Sequence, residues 1–363
     1  MRVLVVNAGS SSLKLSVLDG ERREWAVNIP APGGRIDQDA VSDAIGTHGA
    51  LDAVGHRIVH GGTEYTAPTV VDPDVRARLE ALTDLAPLHQ PKSLQALDAV
   101  TAVVPGCPAV ACFDTAFHAG IPPAAATYAL PREWRRRWDL RRFGFHGLSH
   151  SYASRRAAEL LGADRSGLRI VSCHLGAGAS LAAVQGGRSV DTTMGFTPLE
   201  GLVMATRSGS VDPGMVLWLE EHVGIPAPEL AAALEHRSGL LGLAGTADMR
   251  AVVDAAASGQ EDAVLALEVY LHRLRAGVAA MAAAMDGMDV IVFTGGVGEA
   301  SAVVRARAAA GLGFLGVGLD GAANEGGTGD RQIGATGAVV RALVVEARED
   351  LEIALGVRQA LGS

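Results

Sequence analysis

The chain's pattern predicts an α/β fold, and two observations carry that expectation. Short β-branched runs, Val3–Val6, Val54–Val59, Ala109–Phe113, Arg169–His174 and Val290–Thr294, each run into Gly, Asn or Asp. Between them lie stretches of helical spacing, Val75–Leu82, Lys92–Val100, His150–Leu161 and Gln260–Met285. Strands interleaved with helices are the signature of an α/β architecture. The second observation is a weak internal similarity. VLVVNAGSSSLKLSVLD (3–19) reads as strand, small-residue turn and strand, and RIVSCHLGAGASLAAVQ (169–185) repeats that plan. Two such copies suggest two similar domains facing a shared cleft. Gly/Ser hairpins also recur within single α/β domains, so the pattern by itself leaves both arrangements open.

The elements follow in order. The five strand runs are rich in Val and Ile, whose branched Cβ suits an extended backbone. The helical stretches repeat apolar residues at i, i+3 and i+4, which places them on one face. Gly311–Gly316 matches G-x-G-x-x-G, but it follows a helix-like Arg/Ala stretch and not a strand, so it reads as a surface turn. Val339–Val345 has a buried-strand pattern, and Glu346-Ala-Arg-Glu-Asp-Leu351 opens the last helix with acidic residues suited to its dipole.

Composition narrows the function. The 363 residues suffice for two or three ordinary domains. A hydrophobic content of 48% excludes a disordered chain, and a net charge of -9 excludes a nucleic-acid binder with a basic face. Three cysteines cannot form a disulfide framework, which points to a reducing compartment. The first residues lack a signal peptide's apolar core, and no apolar run reaches membrane-spanning length. A soluble cytoplasmic protein is expected. Only Lys14 and Lys92 are lysines, against 29 arginines. A retained lysine marks a position suited to a compact ammonium.

No G-x-x-x-x-G-K-[ST] is present, which excludes a P-loop nucleotidase. Three other glycine loops each follow a strand: Asn7-Ala-Gly-Ser-Ser-Ser12, His174-Leu-Gly-Ala-Gly178 and Gly295-Gly-Val-Gly-Glu299. Glycine lets backbone N–H groups approach an anion with no Cβ in the way. Ser10, Ser11 and Ser12 add hydroxyls, and strand alternation puts Ser12 and Lys14 on one face. Arg57 ends a strand and Asp114 follows one, both positions favoured for ligands in α/β sheets. For Asp114 a helix N-cap before Thr115 is the other reading. His146 and His150 sit at i, i+4 without a third ligand at zinc spacing. The glycines around His146 suggest an imidazole exposed in a loop, with His150 starting the next helix. Residues 191–214, nearly uncharged apart from Arg207, read as a site loop, though Arg207 also suits a structural ion pair.

Assembled, these segments resemble the acetate kinase (acetokinase) family, in the superfamily of acetate and sugar kinases, Hsc70 and actin. The resemblance rests on NAGSSSLK (7–14), GHRIVHGG (55–62), LAPLHQP (85–91), FDTAFH (113–118), GFHGLSH (144–150), GFTPLEG (195–201), TRSGSVDPG (206–214) and FTGGVGE (293–299). It runs from Val3 to the last helix, with a shorter segment between Asp19 and Val54 than the family usually has.

The resemblance implies two ribonuclease H-like (actin-like) domains around a central cleft. One would comprise residues 1–115 with 351–363 and carry the acyl and metal side. Residues 116–350 would bind nucleotide and form a homodimer. It implies Mg²⁺-dependent phosphoryl transfer between ATP and acetate, giving ADP and acetyl phosphate, with Mn²⁺ as a substitute metal and neither nucleic acid nor membrane as partner. Asn7 and Glu349 would hold the metal, and Ser10, Ser12 and Lys14 would meet nucleotide phosphates. Asp114, His146 and Arg207 would be catalytic. Arg57 and His89 would bind the acyl substrate, in a small apolar pocket of Val59, Leu88, Phe145 and Pro198. His174, Leu175, Gly176, Ala177, Gly178, Asp248, Met249, Arg250, Gly296, Val297, Gly298, Glu299 and Ala300 would form the nucleotide site.

Valine at 59 leaves less room than alanine, which favours acetate over propionate. Three departures bear on phosphate donor and turnover: Ala177 stands where the family's HLGNG has asparagine, Ala300 where GIGEN has asparagine, and Ala347-Arg-Glu-Asp350 where TNEE is usual. A propionate or short-chain acyl kinase, a pyrophosphate-using variant and a weakened nucleotide-binding relative are the alternatives.

Overall fold

The computed structural model describes residues 1–9, 12–31, 36–46, 49–86 and 90–362. Two compact units divide the chain. The first comprises Met1–Ala119, Phe145–Tyr152 and Arg348–Ser363, and the second Gly120–Gly144 and Ala153–Ala347. Phe145–Tyr152, expected in the second half by its place along the chain, groups with the first. The physical reason is local: the Gly147 N–H donates to the Asp114 carbonyl at 2.9 Å, and His118 Nε2 lies 3.1 Å from the Phe145 carbonyl.

The strands are β1 (Arg2–Ala8), β2 (Ser12–Asp19), β3 (Arg22–Pro30), β4 (Ala53–Ile58), β5 (Thr69–Val70), β6 (Ala109–Phe113), β7 (Arg169–Leu175), β8 (Ala179–Gln185), β9 (Arg188–Thr192), β10 (Val290–Thr294), β11 (Arg331–Gln332) and β12 (Arg341–Val344). Among the described residues they form two six-stranded sheets, in the orders β3-β2-β1-β4-β6-β5 and β9-β8-β7-β10-β12-β11. The orders correspond strand for strand. In each, three antiparallel strands lead into a run of parallel ones, β1-β4-β6 and β7-β10-β12, with an antiparallel edge strand beyond. The similarity of 3–19 to 169–185 is therefore a duplicated domain plan, each segment forming the first hairpin of its sheet.

Local sequence explains most boundaries. The helix foreseen at Val75 starts at Pro73, because Asp72 caps it by accepting from the Val75 N–H at 2.7 Å and proline suits a first helical turn. The longest helix, Glu261–Ala283, buries Ala263, Ala266, Leu267, Tyr270, Leu271, Leu274 and Val278 along one stripe. The last helix begins at Glu349, later than the acidic run at 346, and the strand foreseen over 339–345 shrinks to β12, with Val339 81% exposed. Gly313–Leu315 forms a single tight turn with Phe314 exposed, as expected. Strand β3 was not foreseen, since RREWAVNIP is an edge strand whose residues are mostly exposed.

The last helix lies on β4 because Gly55 has no side chain: a Cβ there would come within 2.6 Å of Ile353 and 2.7 Å of Val357. That contact brings Glu349, at the helix start, toward the ends of the strands.

Besides His150, three histidines lie buried in the first unit, His56, His60 and His118. Burial holds His56 down to about 3 and His60 and His118 down to about 4. In the unfolded chain each titrates near its ordinary 6.5, so below that pH the unfolded state takes up protons that the folded state refuses. We predict stability that is constant above pH 6.5 on this account and falls from there toward pH 4, by about 1.4 kcal/mol per pH unit for each histidine. Urea unfolding at pH 7, 6 and 5 checks this, and equal stabilities would contradict it.

Candidate functional site

In the first unit three parallel strands end side by side, and each delivers one polar side chain. Asn7 lies near the end of β1, Arg57 near the end of β4 and Asp114 just past β6. Arg57 Nε donates to both Asp114 oxygens at 2.9 and 3.1 Å, and its Nη2 reaches Oδ2 at 2.5 Å. Its Nη1 donates to Asn7 Oδ1 at 3.1 Å and lies 4.0 Å from Glu349 Oε2. The Asn7 amide in turn donates to Glu349 Oε2 at 2.7 Å.

This is one connected network of a cation, an amide and two carboxylates. Asp114 is 1% exposed. Burial pushes its carboxyl up, Arg57 opposes that, and Glu349 adds to it. Burial acts to lower the Arg57 guanidinium, but Asp114 and then Glu349 overcome it and raise it. The N-cap reading of Asp114 fails, since its carboxylate is spent on Arg57 and makes no cap bond.

Lys14 is exposed and stands directly across the hairpin from Asn7, so both side chains rise on one face. Ser12 shares that face two residues back. Ser10, Leu88 and His89 lie outside the described residues. Val59 and Phe145 are buried, at 6% and 1% exposure.

His146 is partly exposed and adopts φ +56°, a left-handed conformation that costs a side-chain-bearing residue about 1–2 kcal/mol. The residues around it enforce this. Gly147 packs so tightly on Asp114 that a Cβ would collide with the Asp114 carbonyl, and the Phe145 ring meets His60 edge-on at 5.5 Å. His150 lies inside the helix Gly147–Leu161 and is fully buried, its ring 5.7 Å from that of His118. Among the described residues no group of three or more His, Cys, Asp or Glu is placed to hold a metal. The oxygen donors of Asn7, Asp114 and Glu349 do suit Mg²⁺, which takes one or two carboxylates and completes its shell with water and substrate phosphates.

The second unit holds a cavity of about 340 Å³. Its walls include Gly176, Ala177, Asp248, Met249, Arg250, Gly296, Val297 and Ala300, from all three segments foreseen for a nucleotide. Gly295, at φ +78°, has a Cβ position only 2.8 Å from the Leu175 carbonyl, so glycine alone fits where β10 turns beside β7. The Gly176 N–H donates to the Gly178 carbonyl at 3.0 Å, as Gly9 does to Ser12 at 2.8 Å in the first hairpin.

Other foreseen residues do not line the cavity. Leu175 and Gly298 are buried, Gly178 and His174 lie on the adjoining hairpin, and Glu299 Oε1 accepts the Ala347 N–H at 2.9 Å. Asp248 also caps the helix Met249–Ala257, accepting from the Arg250 N–H at 2.9 Å. Sequence reasoning missed the wall residues Ala205, Leu240, Ala247, Val253, Tyr270 and Ser301. They are small or apolar and carry no motif of their own.

Arg207 is 18% exposed, forms an ion pair with Glu235 at 3.1 Å and donates from Nη1 to the Pro198 carbonyl at 3.3 Å. Burial lowers its pKa against the pull of Glu235. Glu235 was also missed, because a lone acidic residue near a helix end reads as solvated surface.

All three cysteines are free thiols, and among the described residues no helix is long and apolar enough to cross a membrane.

Two sheets of one topology, each with polar or glycine-lined features at the ends of its parallel strands, place the chain in the class of kinases built from a duplicated α/β domain. The family model described as the Acetokinase family matches residues 34–355, and the chain belongs to that family. An acetate kinase of Microcystis aeruginosa is 43% identical, over 98% of both chains. Among solved structures, an acetate kinase of Porphyromonas gingivalis superposes with a TM-score of 0.90 at 36% identity, over 99% of both chains. A propionate kinase of Francisella tularensis gives 0.90 at 33%, over 98% of both.

The network gives Arg57 a part in stability as well as in ligand binding. Removing Arg57 strands the buried Asp114 carboxylate, so we predict a destabilisation of about 3 kcal/mol. Adding Asp114→Asn should restore part of it. Chemical denaturation of the single and double variants measures both effects, and an unperturbed Arg57→Ala midpoint would contradict the buried pair.

Proposed function

We propose that the chain transfers a phosphoryl group directly between ATP and acetate, reversibly, forming acetyl phosphate and ADP. The observation that carries this reading is the Arg57 fork, held by Asp114 and Asn7 at the ends of β4, β6 and β1. A planar guanidinium fixed on one side is suited to receive a carboxylate or acyl phosphate on the other.

Acetate is already ionised at neutral pH, so the reaction needs no base. Asp114 therefore orients Arg57, and its carboxylate would add negative charge beside a bound Mg²⁺. An acetate oxygen attacks the γ-phosphorus in line as the bond to the ADP oxygen breaks. The charge in this loose transition state sits on the equatorial oxygens, and catalysis is mostly positioning plus cations. Arg57, His146 and Arg207 are the residues we assign to those oxygens, and Lys14 to the nucleotide phosphates. Asn7 and Glu349, beside Asp114, would hold Mg²⁺, or Mn²⁺ in its place. The ion neutralises phosphate charge when bound. The strained His146 backbone fits such a role, since a costly conformation persists only where its surroundings impose it.

The second unit's cavity supports nucleotide binding. Glycines 176 and 296 open it, and Ala177 and Ala300 leave it without side-chain amides. The phosphates would then be met by main-chain N–H groups. Exposed Met215, Leu217, Trp218 and Val223 in the same unit are side chains that a second copy would cover, which supports a homodimer. No nucleic-acid or membrane partner enters this reading.

The likeness to a propionate kinase supports a second reading, a longer acyl acceptor. Val59 argues for acetate, and one methylene discriminates by about 1–3 kcal/mol, so propionate should react roughly 10-fold or more slowly. Trapping acyl phosphate as hydroxamate, with acetate, propionate and butyrate each paired with ATP, GTP and pyrophosphate, tests both choices. The expected result is fastest turnover with acetate and ATP. A propionate preference favours the second reading, and ATP binding without product from any acceptor overturns transfer.

A further inference from the structure

Glu235 belongs to none of the motifs that mark this chain's chemistry. It stands at the penultimate position of the helix Ala227–His236, and among the described residues its carboxylate meets Arg207 and no other cation. Both side chains are largely buried, at 18% exposure for Arg207 and 15% for Glu235.

The backbone makes this pairing a built feature. Thr206 Oγ1 donates to the Glu235 carbonyl at 2.9 Å, and the Ser208 N–H donates to Leu234 at 3.0 Å. In return the Ser238 N–H donates to Thr206 and the Leu240 N–H to Met204, both at 2.9 Å. Gly239, at φ +61°, permits the last contact, since a Cβ would collide with the Met204 carbonyl. Residues 204–208 and 234–240 are thus laced together on both sides of the ion pair. The same loop is tied to the glycine hairpin, where the Ala205 N–H donates to the Ala177 carbonyl at 3.0 Å.

Among the contacts of the Arg207 guanidinium, Nε lies 3.1 Å from Glu235 Oε2 as an ion pair, and Nη1 donates to the Pro198 carbonyl at 3.3 Å and meets Met204 Sδ at 3.6 Å. A charged partner at Nε constrains the guanidinium's plane from the side opposite its neutral contacts at Nη1. A buried arginine without a counter-charge is also driven toward solvent.

We propose that Glu235 is the positioning residue for Arg207, fixing the plane in which its guanidinium meets the transferring phosphoryl group. The proposal rests on Arg207 acting in phosphoryl transfer. Glu235 touches no reacting atom on this account, so its loss should lower kcat and leave substrate KM nearly unchanged.

The test uses Glu235→Gln, Glu235→Asp and Arg207→Ala in the full chain, with Glu235→Gln also combined with Arg207→Ala. We expect Glu235→Gln to lower kcat roughly 10-fold or more, with KM for acetate within about 2-fold. Glu235→Asp, which keeps the charge, should recover part of that loss. In the Arg207→Ala background Glu235→Gln should cost nothing further. Parental kcat in Glu235→Gln overturns the proposal, as does an equal loss in both backgrounds, which marks a general structural role. Should Glu235→Gln not fold, Glu235→Asp takes its place: a kcat loss present with Arg207 and absent in the Arg207→Ala background supports positioning, and parental kcat or an equal loss in both backgrounds overturns it. Near-parental turnover in Arg207→Ala itself removes the underlying assignment, and the proposal with it.

Discussion

Arg57 donates on one side to a carboxylate that is almost wholly buried and on another to an asparagine that itself holds Glu349. Each of the four groups meets at least one of the others. A lone Asp114 carboxylate would be forced toward protonation by its burial, and a lone Arg57 would turn from the strand ends toward water. Buried ion pairs contribute little net stability, because desolvation offsets most of the attraction. What the pair secures is geometry, a guanidinium whose plane and position are settled before a ligand arrives.

The fold is arranged to deliver that network. Strands β1, β4 and β6 run parallel, so their ends lie together, and ligands in α/β sheets collect beyond such ends. The fourth member comes from the far end of the chain. Gly55 lets the last helix settle on β4, and that contact carries Glu349 to Asn7. The second sheet repeats the topology and uses the same location differently. Where the first places charged and amide side chains, the second places glycine and alanine around a cavity. One domain plan thus carries a charged side-chain network in one copy and a glycine-edged cavity in the other.

Much of this was legible in the sequence, for identifiable reasons. The central strands are apolar enough to be recognised alone, and the glycine loops announce themselves because only glycine permits their turns. Arg57 and Asp114 stood out because each lies at a strand end, and Asn7 because it opens a glycine loop after a strand. What escaped detection were features defined by their neighbours. β3 is polar because it forms a solvated edge, so its pattern resembles a loop. Tyr270 lies in an ordinary apolar stripe, and nothing in the stripe says which residue borders a cavity. Glu235 is a carboxylate near the end of a helix until the fold brings Arg207 against it. The place of His146 with the first unit was likewise hidden, since chain order puts it among residues of the second.

The central claim is that Arg57 receives the acyl ligand through the fixed fork of its guanidinium, with charge alone insufficient. Calorimetric titration of acetyl phosphate into the unsubstituted protein and into Arg57→Lys addresses this directly, because lysine keeps the charge and loses the fork. The account predicts that affinity falls about 10-fold or more in Arg57→Lys, at unchanged stoichiometry. Equal affinity in the two proteins would show that no oriented guanidinium is required, and would contradict it.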